Sequence, residues 1–207
     1  MKAFEPARIV VLVSGGGTNL QALIDAEKSG KLKHGRIVLV ISNVKDAYAL
    51  TRAAENGISA MTITRKASGG KEGFEKNLMT AIDEAGADLI IMAGFLAILS
   101  ENFTSRYPEK IINIHPSLIP SFCGEGYYGL KVHEEALKYG VKVTGATVHF
   151  ANEIPDGGRI IMQKAVKIRD DDTPEVLQKR VMEQAEWKIL PAAAEKVCRD
   201  IVKNRKQ

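Results

Sequence analysis

Two kinds of apolar pattern alternate along the chain as far as residue 115. Compact runs of Val, Ile and Leu are typical of strands buried on both faces, whereas apolar side chains that recur every three or four positions are typical of amphipathic helices. The compact runs predict strands at residues 8–14, 36–42, 59–64, 88–94 and 110–115. The helical spacing predicts helices at residues 19–28, 47–56 and 71–85.

This alternation predicts an α/β fold: a Rossmann-like, mostly parallel twisted sheet with helices on both faces. The pattern changes after Pro116, where residues 117–129 form a loop rich in Gly, Pro and aromatic residues. The remaining predicted elements are a helix at 130–138, strands at 141–150 and 159–168, and a long final helix that begins at Thr173 and Pro174. Thr is a favoured N-cap and Pro a favoured first helical residue, so this last start is well marked.

The composition is that of one globular domain spanning residues 1–207. The chain is 45% apolar and 26% charged, and its 207 residues are enough to bury a large core. Its longest apolar run, residues 89–99, has eleven residues, and a membrane-spanning helix needs about 20. The N-terminal segment has only a short apolar run after Arg8 and does not resemble a signal peptide. We therefore expect a cytoplasmic protein without a membrane partner.

Charge and cysteine content indicate which kinds of ligand, partner and metal site to expect. The net charge of +4 suits small anionic ligands and is weak evidence for nucleic acid, so no nucleic-acid partner is expected. Cys123 and Cys198 lie far apart and form no zinc-type spacing, so both are predicted to be reduced thiols and no metal site is expected. The oligomeric state is left open between a monomer and a homodimer.

A glycine-rich turn, SGGGTN at residues 14–19, joins the first predicted strand to the first helix. Glycines let the backbone approach a ligand closely, and the first N–H groups of a helix favour an anion, so the turn predicts a phosphate site. The third glycine of the dinucleotide pattern is missing, and no Gly-Lys-Ser/Thr follows as in a Walker loop. A tight strand-to-helix turn without a ligand is the alternative.

Two polar side chains end the fifth predicted strand, in the segment INIHPS. Residues two apart in a strand share a face, so Asn113 and His115 project together at the edge of a parallel sheet where ligands bind. An amide donor can stabilise an oxyanion, and an imidazole can carry a proton near neutral pH. The pair fits carbonyl chemistry, and it fits equally a hydrogen-bonded core histidine beside a loop-capping asparagine.

Further polar residues in the second half have competing interpretations. Asp156 lies in IPDGG, where Pro-Asp-Gly predicts a turn. If its carboxylate reached His115 instead, it would raise the pKa of the imidazole and orient it. Strand alternation places Thr147 and His149 on one face, and His149 fits a half-exposed strand residue.

Several segments together resemble the phosphoribosylglycinamide formyltransferase family, within the formyltransferase superfamily. They are VVLVSGGGTNLQALIDA, AGFLAILS, INIHPSLIPSF, GATVHF and IPDGGRIIMQ, and they follow the family's order from about Arg8 to Pro191. The resemblance implies the formyltransferase fold, with a nucleotide- and phosphate-binding half at 1–110 and a catalytic and folate-binding half at 111–207. It implies formyl transfer from the co-substrate 10-formyltetrahydrofolate to the amine of glycinamide ribonucleotide in purine synthesis, by direct attack through a tetrahedral intermediate.

The resemblance also implies roles for individual residues. Asn113 would bind the formyl oxygen, His115 would act as general acid, and Asp156 would pair with His115 and raise its pKa. The implied contacts of the ribonucleotide are Gly17, Thr18 and Asn19 for its phosphate and Glu186 for its glycinamide or ribose part. The implied folate contacts are Leu96, Ala97, Ile98, Leu99 and Asn113, with Lys71 nearby.

The chain departs from the family pattern at three places. Ala97 stands where many relatives carry Arg, so any contact of that side chain is missing. The segment 122–130, FCGEGYYGL, is longer than expected and could act as a lid. Trp187 replaces an expected His, and the segment 180–186 is one residue longer, which makes Glu186 the least secure assignment.

Other functions remain as alternatives. Methionyl-tRNA formyltransferase carries a further C-terminal domain, which makes tRNA an unexpected substrate here. Formyltetrahydrofolate hydrolase usually carries an N-terminal regulatory domain and Asp-Glu-Gly where this chain has Asp-Gly-Gly. A regulator that binds a nucleotide without chemistry would need only the glycine turn, and the broken glycine pattern disfavours a dinucleotide oxidoreductase.

Overall fold

Seven strands form one sheet in the computed structural model, which describes residues 5 to 205. The strands are β1 (Ala7–Val13), β2 (Gly35–Ser42), β3 (Ala60–Thr62), β4 (Leu89–Met92), β5 (Ile111–His115), β6 (Val143–Phe150) and β7 (Ile160–Lys167). The helices are α1 (Thr18–Lys28), α2 (Tyr48–Glu55), α3 (Lys71–Glu84), α4 (Glu101–Arg106), α5 (Leu130–Tyr139), α6 (Pro174–Val181) and α7 (Trp187–Asn204), with a π-helical turn, Met182–Glu186, between the last two.

The sheet order is β3-β2-β1-β4-β5-β6-β7. The strands from β3 to β5 pair in parallel, and β6 and β7 add to them antiparallel. The predicted class, a mostly parallel sheet with helices, is therefore confirmed. The antiparallel pairing of β6 with β7 suits the short connection between them, residues 151–159, because a parallel crossover needs a longer one.

Alternation along β1 explains why helices cover both faces of the sheet. Ile9, Val11 and Val13 belong to one buried cluster, which includes apolar side chains of α1 and α7. Val10 and Leu12 belong to a second cluster, which is built with α3 and α4. Successive side chains of a strand point to opposite faces, so an uninterrupted apolar strand needs two cores.

Two elements differ from the sequence prediction. The short helix α4 was not predicted; its N-cap is Ser100, whose hydroxyl accepts a hydrogen bond from the Phe103 backbone N–H. The final helix was predicted as continuous, but the π-helical turn Met182–Glu186 divides it. Periodicity over a few residues is too weak to reveal a helix of this length or a local change of helical winding.

The prediction about the N-terminus concerns in part residues 1–4, which lie outside the described residues. Within residues 5–205, no helix has the length and apolar character needed to cross a membrane.

Candidate active site

A cleft of ≈ 810 Å³ lies at the carboxyl ends of the parallel strands. In open α/β sheets this is the edge where ligands bind, because the turns after successive strands meet there. Nearly all the residues singled out from the sequence line it: Gly17, Thr18, Asn19, Leu96, Ala97, Ile98, Leu99, Asn113, His115, Asp156 and Glu186. Lys71, which starts α3, is exposed and is not among the lining residues.

The glycine turn is shaped to leave its inner side open. Gly17 has φ 71°, in the left-handed region that favours glycine, and an added Cβ there would lie 2.6 Å from Ala49 Cβ on α2. A Cβ on Gly15 or Gly16 would meet nothing within 4 Å. No side chain caps α1, so its first N–H groups remain available to an anion.

Asn19 was expected to contact a phosphate, but its side chain contacts Glu186. Its Nδ2 donates to Glu186 Oε2 at 2.6 Å, and both residues are buried. Its Oδ1 is buried without a partner among the described residues. The backbone N–H of Asn19, in the first turn of α1, is thus the group that suits a phosphate, while the side chain holds Glu186.

Glu186 is a buried acid at the wall of the cleft. Burial raises the pKa of Glu186 to about 6, although the hydrogen bond from Asn19 acts in the opposite direction. Glu186 closes the π-helical turn Met182–Glu186. A π turn accommodates an extra residue within a helix and is often found at functional sites, which suits the one-residue excess noted in this segment.

Asn113 and His115 end β5 side by side, as the alternation predicts. The antiparallel register with β6 pairs Asn113 with His149 and His115 with Thr147, so all four side chains share one face. Asn113 Nδ2 lies 3.2 Å from His149 Nε2, and His149 Nδ1 lies 2.8 Å from the Phe150 carbonyl oxygen. Because that carbonyl needs an N–H at Nδ1, the neutral His149 ring accepts from Asn113 at Nε2.

The carboxylate of Asp156 joins these groups. Its Oδ2 lies 3.4 Å from His115 Nδ1 and accepts the Gly124 backbone N–H at 2.9 Å. Its Oδ1 accepts from Asn113 Nδ2 at 3.4 Å and lies 3.5 Å from His149 Nε2. The carboxylate that the sequence left between a turn role and a catalytic role therefore contacts both Asn113 and His115.

The turn role of Asp156 is also present. The Gly157 N–H donates to the Ile154 carbonyl at 2.9 Å, and Asp156 has φ 57°, a conformation that Asp tolerates better than most residues. Glycine is required at position 158 for a steric reason, because a Cβ on Gly158 would lie 1.8 Å from the Phe150 carbonyl oxygen. The turn residues in IPDGG thus aim the carboxylate into the cleft.

Burial and charge act in opposite directions on this cluster. Burial lowers the pKa of His115, and Asp156 and the Phe122 carbonyl raise it without reversing the shift. The expected upward effect of Asp156 is present, but burial outweighs it. Burial by itself would raise the pKa of Asp156, yet the neighbouring His149 and His115 rings and the hydrogen bond from the Gly124 N–H lower it. The resting pair is a neutral imidazole beside an ionised carboxylate.

The segment after β4 supplies an apolar wall. Leu96, Ala97, Ile98 and Leu99 all line the cleft; Leu96 and Ile98 are 61% and 56% exposed, whereas Ala97 and Leu99 are buried. The Leu96 N–H donates to Ser14 Oγ at 2.9 Å, which ties this wall to the end of β1. Two exposed aliphatic side chains in a cavity present a surface for a flat apolar ligand.

The long loop after β5 packs over His115. His115 Nε2 lies 2.9 Å from the Phe122 carbonyl oxygen, and residues 124–129 line the cleft. In the neutral ring, this contact requires the N–H at Nε2 and leaves Nδ1 as a proton acceptor facing Asp156. The base of the loop is fixed by Thr147 Oγ1, which donates to the Ser117 carbonyl at 2.7 Å.

The sequence did not reveal two groups of the cluster around Asp156. His149 was interpreted as a half-exposed strand residue, but it is 2% exposed and contacts Asn113. The Gly124 N–H on Asp156 belongs to a loop whose course the sequence does not reveal. Alternation had placed Thr147 and His149 on one face; the missing information was the antiparallel register that opposes this face to Asn113. Among residues 5–205, no group of three or more His, Cys, Asp or Glu side chains is arranged to hold a metal ion.

Comparison with known proteins agrees with this geometry. The family model described as formyl transferase matches residues 7–194. The chain is 41% identical over 176 residues to phosphoribosylglycinamide formyltransferase of Escherichia coli (strain K12), which covers 85% of this chain and 80% of that protein. It is 35% identical over 204 residues to the chloroplastic phosphoribosylglycinamide formyltransferase of Arabidopsis thaliana, covering 97% of this chain and 69% of that protein. Glycinamide ribonucleotide transformylase 1 from Symbiobacterium toebii has a TM-score of 0.88 and 38% identity, over 94% of this chain and 89% of that chain.

Proposed function

The chain belongs to the formyl transferase family and acts as a phosphoribosylglycinamide formyltransferase of purine biosynthesis, and we propose that its cleft performs the transfer by direct attack of the amine on the formyl carbon. The donor is 10-formyltetrahydrofolate and the acceptor is the primary amine of glycinamide ribonucleotide. The reaction takes place in the cytoplasm.

Asn113 is the oxyanion donor in this proposal. Its amide nitrogen already has its hydrogens directed at His149 Nε2 and Asp156 Oδ1, at 3.2 and 3.4 Å. One of these hydrogens turns to the formyl oxygen as negative charge develops there in the tetrahedral intermediate. Removing one oxyanion donor in an enzyme costs about 3 kcal/mol in the transition state.

His115 and Asp156 manage the proton. The attacking nitrogen must lose a proton, and the departing folate nitrogen must gain one. His115 Nδ1 is a proton acceptor in the neutral ring and faces the Asp156 carboxylate at 3.4 Å. Protonation there creates an ion pair, so Asp156 stabilises the imidazolium that passes the proton on. General acid–base help of this kind contributes on the order of a hundredfold or more.

The two ends of the cleft suit the two substrates. The open glycine turn and the first N–H groups of α1, at Gly17, Thr18 and Asn19, hold the phosphate. Glu186 accepts hydrogen bonds from the glycinamide or ribose part. The apolar wall formed by Leu96, Ala97, Ile98 and Leu99 takes the pterin.

Lys71 is assigned to the outer part of the folate site. It lies at the exposed start of α3 and does not line the cleft. Its side chain would have to extend toward a bound folate. Its ammonium group would then contact a negatively charged group of the folate at the margin of the site.

The single observation that carries the proposal is the Asp156 carboxylate, within 3.5 Å of Asn113, His115 and His149 at the junction of the two ends. A protein that only bound nucleotides would not need this cluster. In the deciding experiment, the protein is mixed with 10-formyltetrahydrofolate, with and without glycinamide ribonucleotide, and free tetrahydrofolate is followed.

We expect release that depends on the amine and is stoichiometric with formylated product. Equal release without the amine would identify a formyltetrahydrofolate hydrolase, and no release in either case would contradict an enzymatic role. His115→Ala is the matched variant: it should lose most of the transfer activity and still bind the ribonucleotide, because the glycine turn and Glu186 are unchanged.

A further inference from the structure

A second buried histidine stands in the wall of the cleft without a hydrogen-bonding partner. His133, on α5, is 0% exposed and is among the residues that line the cleft. Its Nδ1 and Nε2 are both buried and neither has a partner among the described residues. The other three histidines each have at least one: His34 contacts Glu195, His115 contacts Phe122, and His149 contacts Phe150.

An imidazole in this condition does not stabilise the fold through its polar atoms. Buried polar groups are nearly always hydrogen-bonded, and an exception calls for an explanation such as a ligand. Burial, and to a lesser extent the neighbouring His115, lower the pKa of His133 to about 4, so the ring is neutral near neutral pH. A neutral imidazole offers one N–H donor and one nitrogen acceptor, which suits a polar substrate better than an anion.

The position of His133 selects between the two substrates. Helix α5 packs against α6, and α6 and the π-helical turn contribute Gln178, Met182 and Glu186 to the wall of the cleft. His133 therefore lies on a helix that packs against the helix supplying Gln178, and that helix leads directly into the turn that carries Glu186. His115, the proposed proton carrier, lines the same cleft.

We propose that His133 is a positioning residue that hydrogen-bonds the amine substrate close to its reacting nitrogen, at an amide or hydroxyl group. The proposal rests on the proposed function, since it names a contact of the same acceptor substrate. Its two free ring nitrogens gain their partners only when that substrate is bound.

The test compares His133→Leu and His133→Gln with the unaltered chain in steady-state assays that vary each substrate in turn. His133→Leu should raise the KM for glycinamide ribonucleotide about tenfold, the loss expected for one hydrogen bond, and leave the KM for 10-formyltetrahydrofolate within about twofold. His133→Gln, whose amide can both donate and accept, should recover most of this loss.

Thermal melting separates this role from a structural one. Replacing an unpaired buried polar group by an apolar one of similar size is close to neutral or stabilising, so His133→Leu should melt at or above the temperature of the unaltered chain. A lower melting temperature together with an unchanged KM for the ribonucleotide would overturn the proposal. Equal increases in both KM values would overturn it as well.

A measurement on the unaltered chain covers the case in which a variant does not fold. Nitrogen-15 spectra of the histidine side chains should show the His133 signals shifting when glycinamide ribonucleotide is added without folate. If those signals do not move while the ribonucleotide binds, His133 does not contact it. If the unaltered chain binds the ribonucleotide but transfers no formyl group, the proposed function fails and the contact is judged by this shift alone.

Discussion

Glu186→Gln separates the stability of the fold from the binding function of the cleft. Glu186 is 6% exposed, and its burial raises its pKa from 4.5 to about 6. At about 1.4 kcal/mol per pKa unit, the ionised form at neutral pH costs the folded state roughly 2 kcal/mol. A neutral glutamine of the same shape removes this cost and can still accept the Asn19 Nδ2 hydrogen bond. Its amide also adds a donor near Asn19 Oδ1, which is buried without a partner among the described residues.

The stabilisation has a defined dependence on pH. Because the folded pKa of Glu186 is raised, the folded chain holds this proton to a higher pH than the unfolded chain does. The cost is therefore fully present above about pH 6 and absent below about pH 4.5, where both states are protonated. Glu186→Gln should be more stable than the unaltered chain by about 2 kcal/mol at pH 8, and the difference should vanish toward pH 4.5.

Urea unfolding at a series of pH values measures this difference. Glu183→Gln is the matched control, since Glu183 lies in the same π-helical turn but is exposed, and it should leave the stability unchanged. The Glu186→Gln variant should at the same time bind glycinamide ribonucleotide more weakly, because a carboxylate acceptor is lost. A destabilised variant at pH 8, or a gain that does not decline with acidification, would refute the assignment of Glu186 as a buried acid kept for binding.

Three further predictions concern the turn, the carboxylate and acid stability. Gly17→Ala should lose roughly 2 kcal/mol or more in urea unfolding, because the left-handed φ and the 2.6 Å approach to Ala49 Cβ both oppose a side chain; Gly16→Ala, with nothing within 4 Å, is the control and should be nearly neutral. Asp156→Asn should still fold, since Asn tolerates the same φ, with a somewhat lower melting temperature because the interactions that lower the pKa of Asp156 are weakened, and should lower kcat on the order of a hundredfold; unchanged turnover would exclude the carboxylate from the chemistry. The pKa of His133 is lowered to about 4, so the folded state loses stability as the pH falls from about 6.5 to 4, by up to about 3 kcal/mol, and His133→Leu should lose correspondingly less on acidification.

The local pattern was sufficient for most of the architecture. The strands were predicted because β1, β2 and β4 carry uninterrupted apolar runs, which only a sheet covered on both faces can bury. That Asn113 and His115 project from the same face of β5 followed from the two-residue repeat of a strand. The position of both at a ligand-binding edge followed from the parallel order of the preceding strands.

The rest depended on contacts between segments that are distant in sequence. Asp156 reaches His115 because β6 returns antiparallel to β5, and no local signal specifies that register. The Asn19–Glu186 hydrogen bond joins residues separated by 167 positions. The direction of the His115 pKa shift could not be predicted from the sequence either. The sequence suggested Asp156 as a partner that raises this pKa, but not the burial that lowers it by more.

The origin of the formyl oxygen in the product tests the central claim most directly. Of the bonds to the formyl carbon, direct attack breaks only the one to the folate nitrogen, so the formyl oxygen stays on its carbon. When the reaction runs in water enriched in oxygen-18, the mass spectrum of the product should show one formyl group gained and no oxygen-18 in it. Formylated product that carries solvent oxygen would contradict direct attack, and the absence of any formylated product would contradict the assigned activity.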